Sequence, residues 1–101
     1  MAVTEIHPNE VRARRAAGET VFLLDVREDD EVAAWAYPDA IHIPLGQLEA
    51  RLAELPTDVE IVCACHAGGR SLKAATFLET TGRTTANLTG GALEWAASDE
   101  G

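Results

Sequence analysis

The segment that decides the fold is residues 61–71, which read IVCACHAGGRS. Its first five residues, ending at Cys65, are small or apolar, and such a run is typical of a strand covered on both faces of a sheet. Two glycines then predict a short loop, and small residues beyond Arg70 recur on one side of a helix. The segment therefore predicts a buried strand, a tight loop and a helix, which is the unit of a parallel α/β sheet.

Strand and helix patterns alternate through the rest of the chain as well. Pro8 suits a first helical position and Gly18 suits the residue after a helix, so a first helix is predicted between them. The leucines of residues 48–55 recur at the spacing of a one-sided helix. Further strands are predicted at residues 3–6, 21–26, 40–43, 59–64 and 84–88, and further helices near residues 28–35, 71–81 and from residue 90. The alternation predicts one α/β domain over residues 1–101.

The composition is that of a globular domain with a strong acidic bias. The 101 residues include 17 acidic and 8 basic side chains, giving a net charge of −9, and 47% are hydrophobic. Nucleic acids and anionic membrane surfaces both attract clustered Lys and Arg, so neither is expected as a partner. The chain shows no signal-peptide pattern and no apolar run near the roughly 20 residues of a membrane span. A cytoplasmic location with reduced thiols is therefore expected.

Cys65 occupies a position where a thiol can become a nucleophile. Backbone N–H groups of a glycine loop and of the following helix N-terminus can converge on the first side chain of the loop. Such donors, together with nearby cations, lower a cysteine pKa from about 8.5 to roughly 3.5–7.5. His66, Arg70 and Lys73 add positive charge that would attract a small anionic substrate. The alternative is a cysteine that only fills the core, but such a residue has no use for the glycine loop.

The pattern Cys65-x-x-Gly68-x-Arg70-Ser71 after an apolar strand resembles the active-site loop of rhodanese-like sulfurtransferases. Other segments resemble the same family in the same order, namely LLDVR at residues 23–27, the stretch 38–44 ending in AIHIP, and LTGG at residues 88–91 followed by Trp95. Together these landmarks cover nearly the whole chain. The chain is therefore similar to a single rhodanese domain.

The resemblance implies a three-layer α/β fold with a mostly parallel sheet of about five strands flanked by helices. In the family, the loop cysteine takes a sulfane sulfur from a donor such as thiosulfate, holds it as a persulfide and passes it to cyanide or a thiol. Cys65 falls on that position, so the implied partners are a small anionic sulfur donor and a thiol acceptor, including a protein thiol, with no cofactor. The implied substrate-binding residues are His66, Ala67, Gly68, Gly69, Arg70, Ser71 and Lys73, with Asp25 and Arg27 in support.

Two other functions remain open at this point. One is a persulfide carrier or regulatory module that releases its sulfur only to a protein partner. The other is a phosphatase or arsenate reductase that uses the same type of loop, in which backbone N–H groups surround a nucleophilic cysteine. In the family, sulfur-transferring loops have six residues and the related phosphatases one more, and Cys65 to Arg70 is six residues inclusive. The loop length favours sulfur over phosphate.

Cys63 has two interpretations, as a residue that fills the core or as a resolving thiol that relays sulfur. A disulfide between Cys63 and Cys65 would distort the backbone, because residues two apart on a strand are too far apart for it. A metal site formed by these cysteines and His66 is not expected, since no fourth ligand has a recognisable spacing.

Asp25 and Arg27 at the end of a predicted strand also have two interpretations. Asp25 could orient Arg70 or form a structural salt bridge, and the second is favoured. His42 is expected to be a hydrogen-bonded core residue rather than a catalyst. The acidic residues 28–31 are interpreted as a solvated helix start and not as a metal or partner site. The turn at residues 35–40 is expected to form without the two glycines that many family members have there.

Overall fold

The centre of the molecule is a sheet of parallel strands. In the computed structural model, which describes residues 3–99, the strands are β1 (Thr4–Ile6), β2 (Phe22–Asp25), β3 (Ile41–His42), β4 (Ile61–Ala64) and β5 (Thr85–Leu88). Their order across the sheet is β1-β5-β4-β2-β3, and every neighbouring pair is parallel. The α/β fold with a parallel sheet of about five strands is thereby confirmed.

Helices cover both faces of this sheet, and this explains why its central strands are apolar without alternation. The helices are α1 (Pro8–Ala16), α2 (Asp29–Ala34), α3 (Gly69–Thr80) and α4 (Gly91–Ala97). The core under α3 contains the buried side chains Leu24, Ile61, Cys63, Ala75 and Leu78. The core under α1 and α4 contains Val11, Leu23, Val62, Leu88 and Trp95. Among the helices of residues 3–99, none has the length and apolar character needed to cross a membrane.

The helix predicted over residues 48–55 is wrong. This part of the chain forms two short 3₁₀ turns, Leu45–Gln47 and Leu52–Glu54. The buried guanidinium of Arg83 donates hydrogen bonds of 3.1–3.3 Å to three backbone carbonyl oxygens here, those of Leu52, Leu55 and Pro56. These contacts anchor the end of the segment to a side chain that is distant in sequence, while its backbone bonds are mostly of the 3₁₀ kind, such as the Leu55 N–H to the Leu52 carbonyl at 3.1 Å.

The loop after β4 lies at the carboxyl edge of the sheet, where binding sites of parallel sheets form. Strand β4 is the middle strand and pairs with both β2 and β5, so the segments that follow these strands converge at one place. Helix α3 begins in this loop, and the first N–H groups of α4 bond to the carbonyls of Cys65 and His66. The fold thus brings two helix N-termini to Cys65.

Candidate active site

The side chain of Cys65 lies at the start of the loop, directly beyond β4, and the residue is only 1% exposed. Its Sγ accepts a hydrogen bond from the backbone N–H of Gly68 at 3.1 Å and lies 3.2 Å from the Ser71 hydroxyl. Gly68 has a φ of +107°, a conformation that side chains rarely allow. This left-handed residue lets the chain turn tightly enough for its N–H to point back at the sulfur.

The pKa of the Cys65 thiol lies below the ordinary value for a cysteine. Burial alone would raise this pKa, because a thiolate is poorly solvated inside the protein. Hydrogen bonding with the Ser71 hydroxyl, together with hydrogen bonds from the backbone N–H groups of Ser71, Gly68 and Ala67, lowers the pKa by more than burial raises it. The loop thus favours the thiolate, which is the nucleophilic form of cysteine.

The Ser71 hydroxyl connects the sulfur to strand β5. It donates to Asn87 Oδ1 at 2.5 Å, and Asn87 Nδ2 donates to the Gly68 carbonyl at 3.2 Å and to the Glu5 carboxylate at 3.1 Å. Because both partners of the amide nitrogen are acceptors, the nitrogen must face them and the amide oxygen must face Ser71. The sequence pattern did not indicate Asn87 or Glu5, and the available signal was an amide side chain inside a predicted buried strand.

A second set of contacts fixes the backbone of Cys65. Its carbonyl oxygen accepts hydrogen bonds from the Tyr37 hydroxyl at 2.6 Å and from the Ala92 N–H at 2.9 Å. Gly91 permits this close approach of α4, since a Cβ there would lie 2.6 Å from the same oxygen, and its φ is +58°. The sequence pattern did not indicate Tyr37 either, because its hydroxyl reaches the loop from a segment that is distant in sequence.

Arg70, at the end of the loop, is held by a carboxylate. Its Nη1 and Nη2 donate to Glu31 Oε1 and Oε2 at 2.6 and 2.8 Å. Glu31 Oε1 also accepts the Glu28 N–H at 3.0 Å, as part of a capping box at the start of α2. The hydrogen bond from Arg70, and next the one from the Glu28 backbone, lower the Glu31 pKa to about 2. Glu31, one of the acidic residues 28–31 expected to be solvated, is therefore the partner of Arg70.

The family of this chain follows from comparison with known proteins. The rhodanese-like domain family matches residues 7–98. The chain belongs to this family. The resemblance read from the Cys65 loop is thereby confirmed, and the match covers strands β2 to β5 and all four helices.

Named relatives of this rhodanese-like domain include sulfurtransferases. A sulfurtransferase of Allochromatium vinosum is 36% identical over 95 residues, which cover 93% of this chain and 89% of that protein. The thiosulfate:glutathione sulfurtransferase of Homo sapiens is 35% identical over 101 residues, which cover 85% of this chain and 87% of that protein. The solved structure of a rhodanese-like domain protein from Staphylococcus aureus superposes with a TM-score of 0.89 at 29% identity, covering 98% of this chain and 95% of that chain.

In this rhodanese-like domain, Asp25 and Arg27 form a buried salt bridge. Arg27 Nε and Nη2 donate to the Asp25 carboxylate at 3.0 and 2.7 Å, and Nη2 also donates to the Trp35 carbonyl at 2.8 Å. The ring of His42 bonds to the Arg27 carbonyl at 2.7 Å through Nε2. Through these bonds the pair ties the end of β2 to the Trp35 segment and to His42 of β3. Of its two interpretations, the geometry favours a structural role for Asp25, since the guanidinium it binds is that of Arg27 and not of Arg70.

Cys63 and Lys73 lie apart from the groups that bind the Cys65 sulfur. Cys63 is fully buried and is a free thiol, and burial, with a smaller contribution from Cys65, raises its pKa to about 12. Lys73 lies on the exposed side of α3, in a shallow depression shared with Thr76 and Phe77. No group of three or more His, Cys, Asp or Glu side chains within residues 3–99 is placed to hold a metal ion.

A cleft of about 450 Å³ opens beside the loop, between α2 and α4. Arg27, Glu31 and His66 of the loop contribute polar groups to it, and the remaining lining is apolar. Trp35 and Leu93 line it with large side chains that are 41% and 57% exposed. The cleft therefore offers an apolar surface next to the loop that begins at Cys65.

Proposed function

We propose that this protein is a sulfurtransferase that carries sulfur as a persulfide on Cys65. The observation that carries the proposal is the Cys65 sulfur held between the Gly68 N–H and the Ser71 hydroxyl. Relatives named as sulfurtransferases, at 35% and 36% identity over most of the chain, support sulfur as the transferred group. The proposed donor is thiosulfate or another sulfane compound, and the proposed acceptor is cyanide or a thiol, including a protein thiol.

The proposed reaction has two steps. In the first, the Cys65 thiolate attacks the outer sulfur of thiosulfate, the sulfur–sulfur bond of the donor breaks, and sulfite leaves with the electron pair. Cys65 then holds the sulfur as a persulfide anion. In the second, a thiolate or cyanide attacks the outer persulfide sulfur, which leaves as a new persulfide or as thiocyanate, and the Cys65 thiolate is restored. Neither step consumes a proton when all sulfur species are anions.

The loop contributes to both steps by stabilising negative charge on sulfur. Fixed N–H donors need little reorganisation as charge moves from the cysteine sulfur to the persulfide sulfur and back. The Tyr37 and Ala92 hydrogen bonds to the Cys65 carbonyl keep the nucleophile in place relative to these donors. The proposal requires a reducing compartment such as the cytoplasm, where Cys65 stays a free thiol between turnovers.

Thiocyanate formation from thiosulfate and cyanide tests the proposal. We expect turnover by the unaltered protein, loss of turnover to background in Cys65→Ser, and retention of turnover in Cys63→Ser. Cys63→Ser is a matched control, because it removes the other thiol of the chain at a position on β4, outside the loop. Full turnover by Cys65→Ser would overturn the proposal, as would an absence of turnover by the unaltered protein with every sulfane donor and thiol acceptor offered.

A further inference from the structure

The positive charge at the end of the active-site loop is already neutralised within the protein. Both terminal nitrogens of Arg70 bind Glu31, with two parallel hydrogen bonds of 2.6 and 2.8 Å. Paired geometry of this kind is the strongest that a guanidinium makes with a carboxylate. The two side chains are 36% and 29% exposed, so the pair lies at the surface of the site, where an incoming molecule would meet it.

This pairing changes what the site can attract. A doubly charged anion is drawn to an uncompensated cation, but the Arg70–Glu31 pair has no net charge and Glu31 itself repels anions. The protein as a whole carries a net charge of −9, so its wider field adds to the repulsion. Recognition of a small dianion is therefore weaker here than the sequence pattern of His66, Arg70 and Lys73 indicates.

The same carboxylate borders the apolar cleft. Glu31 lines that cleft together with Trp35, Leu93 and His66 of the loop, so a molecule bound there beside the loop meets both a carboxylate and apolar side chains. The Arg27 guanidinium also lines the cleft, and Asp25 neutralises its charge. Burying apolar surface contributes roughly 25 cal/mol per Å² and requires no charge on the donor. The cleft therefore favours a donor with an apolar body over a compact dianion.

We propose that Glu31 is a specificity-determining residue, which by holding Arg70 disfavours compact dianionic sulfur donors relative to donors with a single charge and an apolar body. The proposal rests on the sulfurtransferase function proposed above. The donor class that it names is the aryl thiosulfonates and chemically similar monoanions. With such a donor, the Cys65 thiolate takes the outer sulfur, the sulfur–sulfur bond breaks, and an aryl sulfinate leaves with the electron pair.

The variant Glu31→Gln tests this proposal with little change in structure. Glutamine can keep an oxygen at the Oε1 position, which accepts both the Glu28 N–H and Arg70 Nη1, so the capping box is retained. The negative charge and the bond from Arg70 Nη2 are lost. Asp30→Asn is the matched control, since it removes the same charge from the neighbouring exposed residue of α2.

Steady-state kinetics with two donors supply the main measurement. In Glu31→Gln we expect KM for thiosulfate to fall roughly three- to tenfold, with a smaller fall for an aryl thiosulfonate, because attraction scales with donor charge. In Asp30→Asn we expect both KM values to stay close to those of the unaltered protein. An unchanged or raised KM for thiosulfate in Glu31→Gln would overturn the proposal, and so would an equal fall for the two donors.

Alkylation of Cys65 provides a second measurement that does not depend on sulfur transfer. Iodoacetate and iodoacetamide are similar in size and differ in charge, and both are applied to variants that also carry Cys63→Ser. Glu31→Gln is expected to raise the ratio of the iodoacetate rate to the iodoacetamide rate, and Asp30→Asn is expected to leave it near its starting value. A raised ratio without any sulfur transfer would overturn the proposed function but leave the role of Glu31 in excluding anions supported. An unchanged ratio with normal sulfur transfer would overturn the role of Glu31 alone.

Discussion

At the scale of single residues, the reactivity of Cys65 depends on the one proton of the Ser71 hydroxyl. This hydroxyl lies 3.2 Å from Cys65 Sγ and 2.5 Å from Asn87 Oδ1, and it can donate to only one of them at a time. When Cys65 is a neutral thiol, the hydroxyl donates to Asn87 and can accept the thiol proton. When Cys65 is a thiolate, its charge draws the hydroxyl proton towards sulfur. Ser71 therefore suits both charge states of the cysteine.

Replacing Ser71 with alanine is expected to raise the Cys65 pKa and to slow its alkylation. A net hydrogen bond is worth about 1 kcal/mol, so at a pH below the midpoint of the profile the rate should fall roughly three- to tenfold as the thiolate becomes scarcer. The measurement is the pH profile of iodoacetamide alkylation in a Cys63→Ser background. The midpoint should move to higher pH in Ser71→Ala, because the rate follows the deprotonated form.

Thr76→Ala is the control for this variant, because it removes a hydroxyl from the same helix. The Thr76 hydroxyl is exposed and donates to the Leu72 carbonyl at 2.8 Å, away from the sulfur. Its pH profile should match that of the unaltered protein. If Ser71→Ala and Thr76→Ala gave the same profile, the Ser71 hydroxyl would have no part in stabilising the thiolate.

At the scale of elements, the active-site loop depends on the packing of α4 against it. The first N–H groups of α4, from Ala92 and Leu93, bond to the carbonyls of Cys65 and His66 at 2.9 and 3.2 Å. Gly91 makes this possible, because the helix start touches the loop backbone with no room for a side chain. The loop is thus held by the helix that follows β5 as well as by its own helix, α3.

Replacing Gly91 with alanine is expected to destabilise the protein by about 2 kcal/mol or more, because the new Cβ collides with backbone and the φ is left-handed. That Cβ would lie 2.6 Å from the Cys65 carbonyl oxygen, and neither partner is a flexible side chain. Urea denaturation measures the change. Gly46→Ala is the control, since a Cβ there meets nothing within 4 Å. A Gly91→Ala variant as stable as Gly46→Ala would contradict this account of the loop.

Elements built from neighbouring residues could be predicted from sequence, and elements that depend on distant side chains could not. The strand, loop and helix around Cys65 follow from an apolar run, two glycines and small residues at helical spacing. The helix expected over residues 48–55 is instead two 3₁₀ turns, whose end is anchored by Arg83 from far along the chain. Leucine spacing carries no information about that arginine.

The same division applies to the site. Cys65 and its loop are visible as a motif, but the partners of the loop are not. Glu31 is 39 residues from Arg70, and Tyr37 is 28 residues from Cys65. Nothing in the local pattern of an acidic helix start or of a lone tyrosine indicates which distant group it contacts. These contacts become visible only once the order of strands across the sheet is known.

At the scale of the whole molecule, the Arg70–Glu31 pair joins α2 to the start of α3. It also makes the free energy of unfolding depend on pH. The folded pKa of Glu31 is about 2, below the 4.5 of an unperturbed glutamate, because Arg70 and the Glu28 N–H stabilise the carboxylate. A lowered folded pKa means that the pair stabilises the protein fully above pH 4.5, and that its contribution is lost as pH falls towards 2.

Glu31→Gln should therefore be less stable than the unaltered protein at pH 7, and the difference should shrink between pH 4.5 and pH 2. The measurement is the free energy of unfolding by urea at a series of pH values, with Asp30→Asn beside it. The comparison of the two variants separates the pair from the general effect of removing one acid. A difference between Glu31→Gln and the unaltered protein that stayed constant across this range would contradict the assigned pairing.

The location of transferred sulfur tests the central claim most directly. The protein is incubated with thiosulfate in the absence of reductant, and the new sulfur is capped by alkylation. The protein is then digested, and the peptide masses are measured by mass spectrometry. We expect one added sulfur on the peptide containing Cys65, at Cys65 itself, and its removal when cyanide is added before capping. Sulfur found on Cys63 instead, or on Cys65→Ser protein to the same extent, would contradict the claim that Cys65 carries it.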